Sequence, residues 1–389
     1  MRLKDCHSFH DFRELARRRL PGPIFGYIDG AADDEVTHRR NSASFDDCDL
    51  VPNVLRGVAG IDLSVTVMGQ RLALPVYCSP TALQRLFHHQ GEHAVGAAAA
   101  KHGTMFGVSS LGTVSLEEVR ARYPTPQAYQ FYFHKDRGLN RAMLERAKAA
   151  GVQVLMLTVD TITGGNRERD LRSGFKMPLE LGARALLAFA ARPRWAWDYL
   201  THKRFELPQL DPHVPMRGGA ISVGRYFSEM LDPAMDWNDV AEMVRFWDGQ
   251  FCLKGVMSVA DAKRAVETGC TGIILSNHGG RQLDGSRSAF DQLAEIVDAV
   301  GDRIDVMMDG GVQRGTHVLK ALALGAKAVG VGRYYLFPLA AAGQAGVDRA
   351  LGLMRAELER GMKLMGCTSV RQLGRDQLRF RSTMARTPP

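Results

Sequence analysis

The chain has 389 residues, 45% of them hydrophobic and 24% charged, enough to bury a core that needs neither disulfide nor metal. Its net charge of +8 is dispersed, and no zinc-finger, basic-zipper or RNA-binding signature accompanies it, which argues against nucleic acid as a partner. Six scattered cysteines without a C-x-x-C pair, no apolar run of about 18 residues and no signal-peptide core together lead us to expect free thiols and a cytoplasmic location.

Taken in chain order, residues 1–70 are expected to form helices and a small β element that cover one end of the fold. From about residue 73 a short apolar run, a polar or glycine-containing turn and a helical stretch recur. The runs are Leu74–Cys78, Met105–Ser109, Ala128–Phe133, Val152–Val159, Phe251–Lys254, Gly272–Leu275, Asp305–Met308 and Ala328–Val331. Continuous apolar runs of this length fit strands buried on both faces of a parallel sheet. Helical stretches such as Leu139–Ala150, Val259–Thr268 and Gly315–Leu324 follow them. Eight such units predict an α/β fold, a (β/α)8 TIM barrel, rather than an open sheet. The doubly wound alternative lacks its fingerprint, since Gly330-Val331-Gly332 is a lone G-x-G in the last unit. We therefore expect one domain over 1–389: the cover (1–70), the barrel (71–340) with an insertion over 178–236 after strand four, and a closing helix (about Gly346–Met365) and tail in 341–389. Within the insertion, Ala185–Leu200 mixes a short apolar run with Arg and Trp, which suits an interfacial element better than a spanning one.

Barrels of this kind keep their chemistry at the C-terminal ends of the strands. Those ends carry Ser79-Pro80-Thr81, Ser109-Ser110, Gln130-Phe131-Tyr132, Thr158-Val159-Asp160, Lys254-Gly255, Ser276-Asn277-His278, Asp309-Gly310-Gly311 and Gly332-Arg333. A Lys, a His and an Asp directly after apolar strands is an unusual set for plain loop ends. Glycines after strands seven and eight suit a phosphate site, with Arg333 adding a charge-assisted contact. A planar ring anchored there would meet Lys254, Gln130, Thr158 and Ser276. His278 and Arg281 flank a Gly-Gly turn and can share one pocket, the imidazole as general base and the guanidinium as clamp for a carboxylate. Asp160 would orient the imidazole, and Arg167 is a second candidate for the carboxylate. A lone imidazole is more often structural, but this one is bracketed by Asn277, Gly279 and Gly280 with nothing apolar to pack. No metal is expected.

The string Ser276–Asp284, S-N-H-G-G-R-Q-L-D, resembles the signature of the FMN-dependent 2-hydroxy acid oxidases and dehydrogenases. The resemblance continues through Gly26–Ala32, Pro80-Thr81-Ala82, Tyr129–Tyr132, Leu157–Asp160, Arg167–Asp170, Lys254-Gly255, Asp309–Val312 and Leu322–Ala326. It implies FMN as cofactor, with His278 as base, Asp160 stabilising it once protonated, and Tyr132 and Lys254 completing the catalytic set. It further implies Arg167 and Arg281 on the substrate carboxylate, with Tyr27 and Tyr132 bonding the substrate. Ser109, Gln130, Thr158 and Ser276 would bind the isoalloxazine, beside Ser79, Pro80 and Thr81. Lys254 would lie at its N1/O2 edge. Asp309 and Gly311 would meet the ribityl-phosphate part, and Gly332 and Arg333 the phosphate. Three positions depart from the family pattern: Gln313 stands where Arg is common, Ser79 where Ala or Gly is usual, and Leu111 where glycolate oxidase has an aromatic.

The resemblance is strongest to the bacterial L-lactate and mandelate dehydrogenases, whose P-x-W-x-x-D stretch matches Pro193–Asp198. It implies a small 2-hydroxy acid as substrate, L-lactate first, with electrons passed to quinone or another acceptor. It also implies peripheral contact with the inner face of the membrane through 185–200, and a homotetramer. A soluble oxidase using oxygen is the alternative within the family. Outside it stand a Schiff-base aldolase built on Lys254 and a barrel kept as a non-enzymatic scaffold.

Overall fold

The structure is a computed structural model and describes residues 1–173, 188–202, 206–210 and 229–381. The cover comprises helices α1 (Phe9–Arg19), α2 (Gly22–Asp29) and α3 (Val36–Asp46), then strand β1 (Cys48–Leu50) and the hairpin β2 (Val65–Val67)–β3 (Gln70–Leu72). Eight parallel strands come next: β4 (Val76–Cys78), β5 (Phe106–Ser109), β6 (Gln127–Tyr132), β7 (Val154–Thr158), β8 (Gln250–Lys254), β9 (Gly272–Leu275), β10 (Asp305–Asp309) and β11 (Val329–Val331). They close into a barrel as β11 pairs back onto β4. Every expected run coincides with one of these strands, each end within two residues of its expected position. Outside and between them lie α4 (Gln84–Phe87), α5 (Glu92–His102), α6 (Leu116–Arg122), α7 (Arg137–Ala149), α8 (Glu168–Ser173), α9 (Pro193–Thr201), α10 (Trp237–Trp247), α11 (Val259–Glu267), α12 (Ala289–Val300) and α13 (Gly315–Ala323).

The apolar runs are strands because both of their faces are covered. All six residues of β6 and all five of β7 are buried. One set of side chains meets the outer helices; the other fills the barrel. Tyr77, Ala128, Met156, Cys252, Ile274 and Met307 pack inside with Val67, Met68 and Leu72 of the β2–β3 hairpin, so the hairpin plugs the end away from the strands' C-termini. Several helix starts are fixed by side-chain caps: Ser115, Asp136, Ser258 and Ser288 each accept a backbone N–H of the first turn, worth about 1 kcal/mol apiece.

The closing helix differs from expectation. Helix α14 runs from Arg333 to Met365, starting directly after β11 and crossing residue 340, with a break at Ala342–Gly343. Sequence pattern does not assign the apolar stretch before that break, because Pro338 and Gly343 look like stop signals. A further strand, β12 (Leu378–Phe380), pairs antiparallel with β1. Most of the expected insertion lies outside the described residues; α9 within it is described. No helix among the described residues is long and apolar enough to cross a membrane.

All six cysteines are free and buried, as expected. Four imidazoles, three buried and His38 partly so, are kept in their neutral form, held down to about 4 at His38, His134 and His317 and about 3 at His88. Burial is the main cause at each, joined by Arg333 at His38, Arg19 at His88 and Lys320 at His317. The unfolded chain binds protons at these groups near pH 6.5 and the folded chain does not. Stability is therefore fully present above about pH 6.5 and falls on acidification, by about 1.4 kcal/mol per pH unit for each group. Urea unfolding should show a midpoint clearly lower at pH 5.5 than at pH 7.5; equal midpoints would contradict this account.

Candidate active site

A cavity of about 490 Å³ opens at the C-terminal ends of the strands and extends under the cover to Phe9 and Arg13 of α1. Its size falls within the roughly 300–1,000 Å³ of cofactor and small-molecule sites. Every barrel strand supplies a wall residue at its end or shortly beyond it, from Tyr132, the last residue of β6, to Thr161 after β7 and His278 after β9.

His278 lies in the turn after β9. Its Nδ1 is 3.0 and 3.3 Å from the two carboxylate oxygens of Asp160, just past β7. With Nδ1–H donated to that carboxylate, the lone pair resides on Nε2, the arrangement of a general base oriented by an acid. Burial pushes the Asp160 carboxyl up, but the His278 imidazole and the Lys254 ammonium outweigh it and hold the carboxyl below its ordinary value. His278 has φ +58°, a conformation that costs of order 1–3 kcal/mol and persists where the surroundings impose it. Gln282 helps to impose it by donating to the carbonyls of Asp160 and Thr163, both at 2.8 Å.

Two side-chain chains run across the strand ends behind the wall. Lys254 Nζ donates to Ser276 Oγ at 2.9 Å, Ser276 donates to Asp309 at 2.5 Å, and Lys254 and Asp309 pair at 3.2 Å. Burial lowers the Lys254 ammonium, yet Asp309 and Asp160 raise it further and keep it charged. On the other side Ser109 Oγ donates to Gln130 at 3.0 Å and Gln130 donates to Thr158 at 2.9 Å. Gln130, Thr158 and Ser276 therefore stand one layer behind the wall, while Lys254, Ser109 and Asp309 form it. Asp160 likewise supports the wall through His278.

Arg281 is partly buried and donates to the carbonyls of Tyr27 and Gly30 at 2.7 and 2.9 Å. Arg281 and Arg167 approach the Tyr27 ring at 4.9 and 5.4 Å from its centroid. Asp170, 3.4 Å from Arg167, is a member of this group that sequence reading passed over. Burial raises its carboxyl against the pull of both arginines. Burial, with Asp160 next, also raises the Tyr132 phenol, so it is a neutral hydrogen-bonding group. Two guanidiniums, two phenols and an imidazole thus face one space, which suits a small anion bearing a hydroxyl.

Gly311, Gly332 and Arg333 are also in the wall, with Gln313. Arg333 spends three N–H groups on the carbonyls of Ile28, Gly279 and Gly30, at 2.7–2.8 Å. Burial and then Arg281 pull its guanidinium down to about 9, and it makes no ion pair among the described residues. A partly buried cation without such a pair, with Asp29 and Glu35 only nearby, fits an anionic group such as a phosphate. Ser79 Oγ, 4% exposed in the wall, lacks a hydrogen-bond partner in good geometry among the described residues, a polar atom a bound ring could satisfy. Pro80, Thr81 and Leu111 line the same side. Arg314 does not stand in for the missing arginine at Gln313: it pairs with Glu357 of α14 at 2.9 Å and is absent from the wall. Gln313 instead donates to Ser42 at 3.0 Å.

Sequence reading also missed an ion cluster from the cover. Arg13 bonds Asp29 at 2.5 and 2.7 Å, and Arg169 reaches Asp29 at 3.0 Å and Glu35 at 2.6 Å. All four line the cavity. Asp29 lies in the string Gly26–Ala32, but only the fold shows what it pairs with. One further group, His89, Asp198 and His202, brings donor atoms within 4.8 Å. Arg19 already pairs with Asp198 at 2.6 Å and the two imidazoles stack at 3.8 Å, which is unsuited to a shared cation.

A family model described as FMN-dependent dehydrogenase matches residues 16–380 of the chain. An L-lactate dehydrogenase of Caulobacter vibrioides is 41% identical over 365 residues, covering 93% of this chain and 95% of that protein. An L-lactate oxidase of Nostoc sp. is 41% identical over 370 residues, covering 94% and 96%. Among solved structures, the monotopic membrane protein (S)-mandelate dehydrogenase superposes with a TM-score of 0.92 at 32% identity, covering 97% of this chain and 100% of that one.

Proposed function

The chain belongs to the FMN-dependent dehydrogenases, and from that premise we propose that it is an L-2-hydroxy acid dehydrogenase acting first on L-lactate. Oxidation of a 2-hydroxy acid with FMN is the activity of the family as its relatives represent it. The observation that carries our residue assignment is the His278–Asp160 pair, facing one cavity with Arg167, Arg281 and Lys254.

The substrate carboxylate would lie between Arg167 and Arg281, whose forked donors match its geometry. Tyr27 and Tyr132 would bond the substrate and fix its rotation about that anchor. This directs the C2 hydroxyl and hydrogen towards Nε2 of His278, which accepts a proton while Asp160 stabilises the imidazolium formed. FMN, when bound, supplies the two-electron acceptor for the C–H bond that breaks. Lys254, held charged by Asp309, opposes negative charge developing beside it. Ser109, with Ser79, Pro80 and Thr81, would hold the ring, braced from behind by Gln130, Thr158 and Ser276, and Asp309, Gly311, Gly332 and Arg333 would hold the ribityl-phosphate end.

For the acceptor we favour a membrane quinone. Helix α9 exposes Trp197 and Leu200 at 67% and 78%, the side chains an interfacial helix presents to a bilayer, and the mandelate dehydrogenase neighbour is a monotopic membrane protein. A peripheral position on the membrane and assembly as a homotetramer belong to the same proposal. A soluble oxidase is the second reading, favoured by the Nostoc relative. The purified holoenzyme should lose its yellow colour when L-lactate is added without oxygen. It should then turn over faster with a quinone analogue than with air. Retained colour with every 2-hydroxy acid tried would refute the substrate class; a peroxide yield equal to the lactate consumed would select the oxidase.

A further inference from the structure

The cover helix α3 is seated on two of the loops that build the site. On the loop after β9, Asn41 and Asn277 exchange a reciprocal pair of amide hydrogen bonds at 2.8 and 2.7 Å, both residues buried. Asn277 is the neighbour of His278, and its Oδ1 also accepts the Gly280 N–H at 3.0 Å. Farther along, the Asp284 carboxylate accepts the N–H groups of Thr37 and Val36 at 2.7 and 3.1 Å. It caps α3 from the catalytic loop, where the side chain of the helix's own N-cap residue Glu35 does not cap the helix and instead pairs with Arg169. Thr37 Oγ1 returns a bond to the Ser286 carbonyl at 3.1 Å. On the loop after β10, Ser42 Oγ donates to the Gly311 carbonyl and accepts from Gln313, both at 3.0 Å.

The fit is close enough to require glycine at both contacts. A Cβ on Gly280 (φ +76°) would lie 2.6 Å from the His38 nitrogen, and one on Gly311 (φ +75°) 2.0 Å from the Asn41 carbonyl oxygen. One short helix thus braces the loop that bears the base against the loop that bears the cofactor-side glycines. Asn41 itself is not in the cavity wall. Removing its side chain takes one donor partner and one acceptor partner from the buried Asn277 amide, which is then held only by its bonds to the Arg287 carbonyl and the Gly280 N–H within its own loop. The left-handed backbone of His278 then loses the tie between its neighbouring residue and the cover, while the Asp160 contact of its side chain remains.

We propose that Asn41 is a positioning residue: through Asn277 it sets where His278 stands relative to the cofactor and substrate. The proposal rests on the reading of His278 as base given above. In the holoenzyme, Asn41→Ala should slow anaerobic flavin reduction by L-lactate roughly 10–100-fold per bound FMN, the scale of effect that about 1 Å of misplacement produces. Substrate affinity should stay within about threefold, since no anchor for the carboxylate is touched. Asn41→Asp keeps the shape and the bond donated by the Asn277 amide, and should fall between the two. In both variants hydrogen exchange should quicken in the 276–284 segment and stay unchanged in the barrel strands, a readout independent of turnover.

A reduction rate per bound FMN within twofold of the parent overturns the proposal, even if FMN content or melting temperature drops, because Asn41 would then be structural only. Should Asn41→Ala fail to fold, Asn41→Asp decides by the same two measurements. His278→Gln, run alongside, separates the premises. Fast reduction in that variant removes His278 as base, whereas slow reduction there with normal Asn41 variants removes only the positioning role.

Discussion

A His278→Gln enzyme is expected to stay folded and yellow while anaerobic L-lactate reduces it about 10²–10⁴ times more slowly, the range a positioned acid–base group contributes. Glutamine can occupy the same space and still donate towards Asp160, so the carboxylate keeps a partner. What it cannot do is accept a proton at the position of Nε2. His278 is also only partly buried, its side chain 26% exposed, and no apolar packing is lost with it. Stopped-flow absorbance of the flavin gives the reduction rate, and the spectrum before mixing gives the occupancy. Near-normal reduction would mean that another group takes the proton, and the pairing of His278 with Asp160 would need a different explanation.

Lys254→Met should affect both chemistry and stability. Lys254 is 4% exposed, with its ammonium bonded to Ser276 and paired with Asp309. An apolar side chain of similar length leaves Asp309 as an uncompensated buried carboxylate, a change of about 3–5 kcal/mol for a buried pair. Removing a preorganised charge from beside the reacting ring should also slow reduction by about 10²–10³. The two effects can be separated. Adding Asp309→Asn removes the stranded charge, so the double variant should regain most of the lost melting temperature while its reduction rate stays low. Recovery of rate along with stability would show that Lys254 acts only by holding Asp309.

Much of the fold and site was legible in the sequence because parallel strands buried on both faces leave continuous apolar runs, and the residues at the close of each run stand, by geometry, at the mouth of the barrel. That is why His278, Asp160, Lys254 and Arg281 could be placed together before any coordinates. Side-chain partners were less legible. The Arg13–Asp29–Arg169 cluster depends on how the cover folds back over the barrel, across separations no local pattern encodes, whereas Asp170 pairs locally with Arg167 and only its burial beside the arginines was hidden. The layer behind the wall was also hidden, since a Gln or Thr at a strand end looks the same whether it faces the cavity or braces a neighbour. The first part of α14 was not legible because Pro338 and Gly343 read as stop signals, and at Gly343 (φ +59°) the helix is in fact broken before it resumes towards Met365.

The pairing of β1 with β12 joins residues 48–50 to residues 378–380, and Asp62 bridges Ser369 nearby. Because β12 follows β11 in the chain, all eight barrel strands are made before the ribbon that ties down residues 48–50 can form. A barrel that has closed without that ribbon would still lack one of the ties that hold the cover over its mouth.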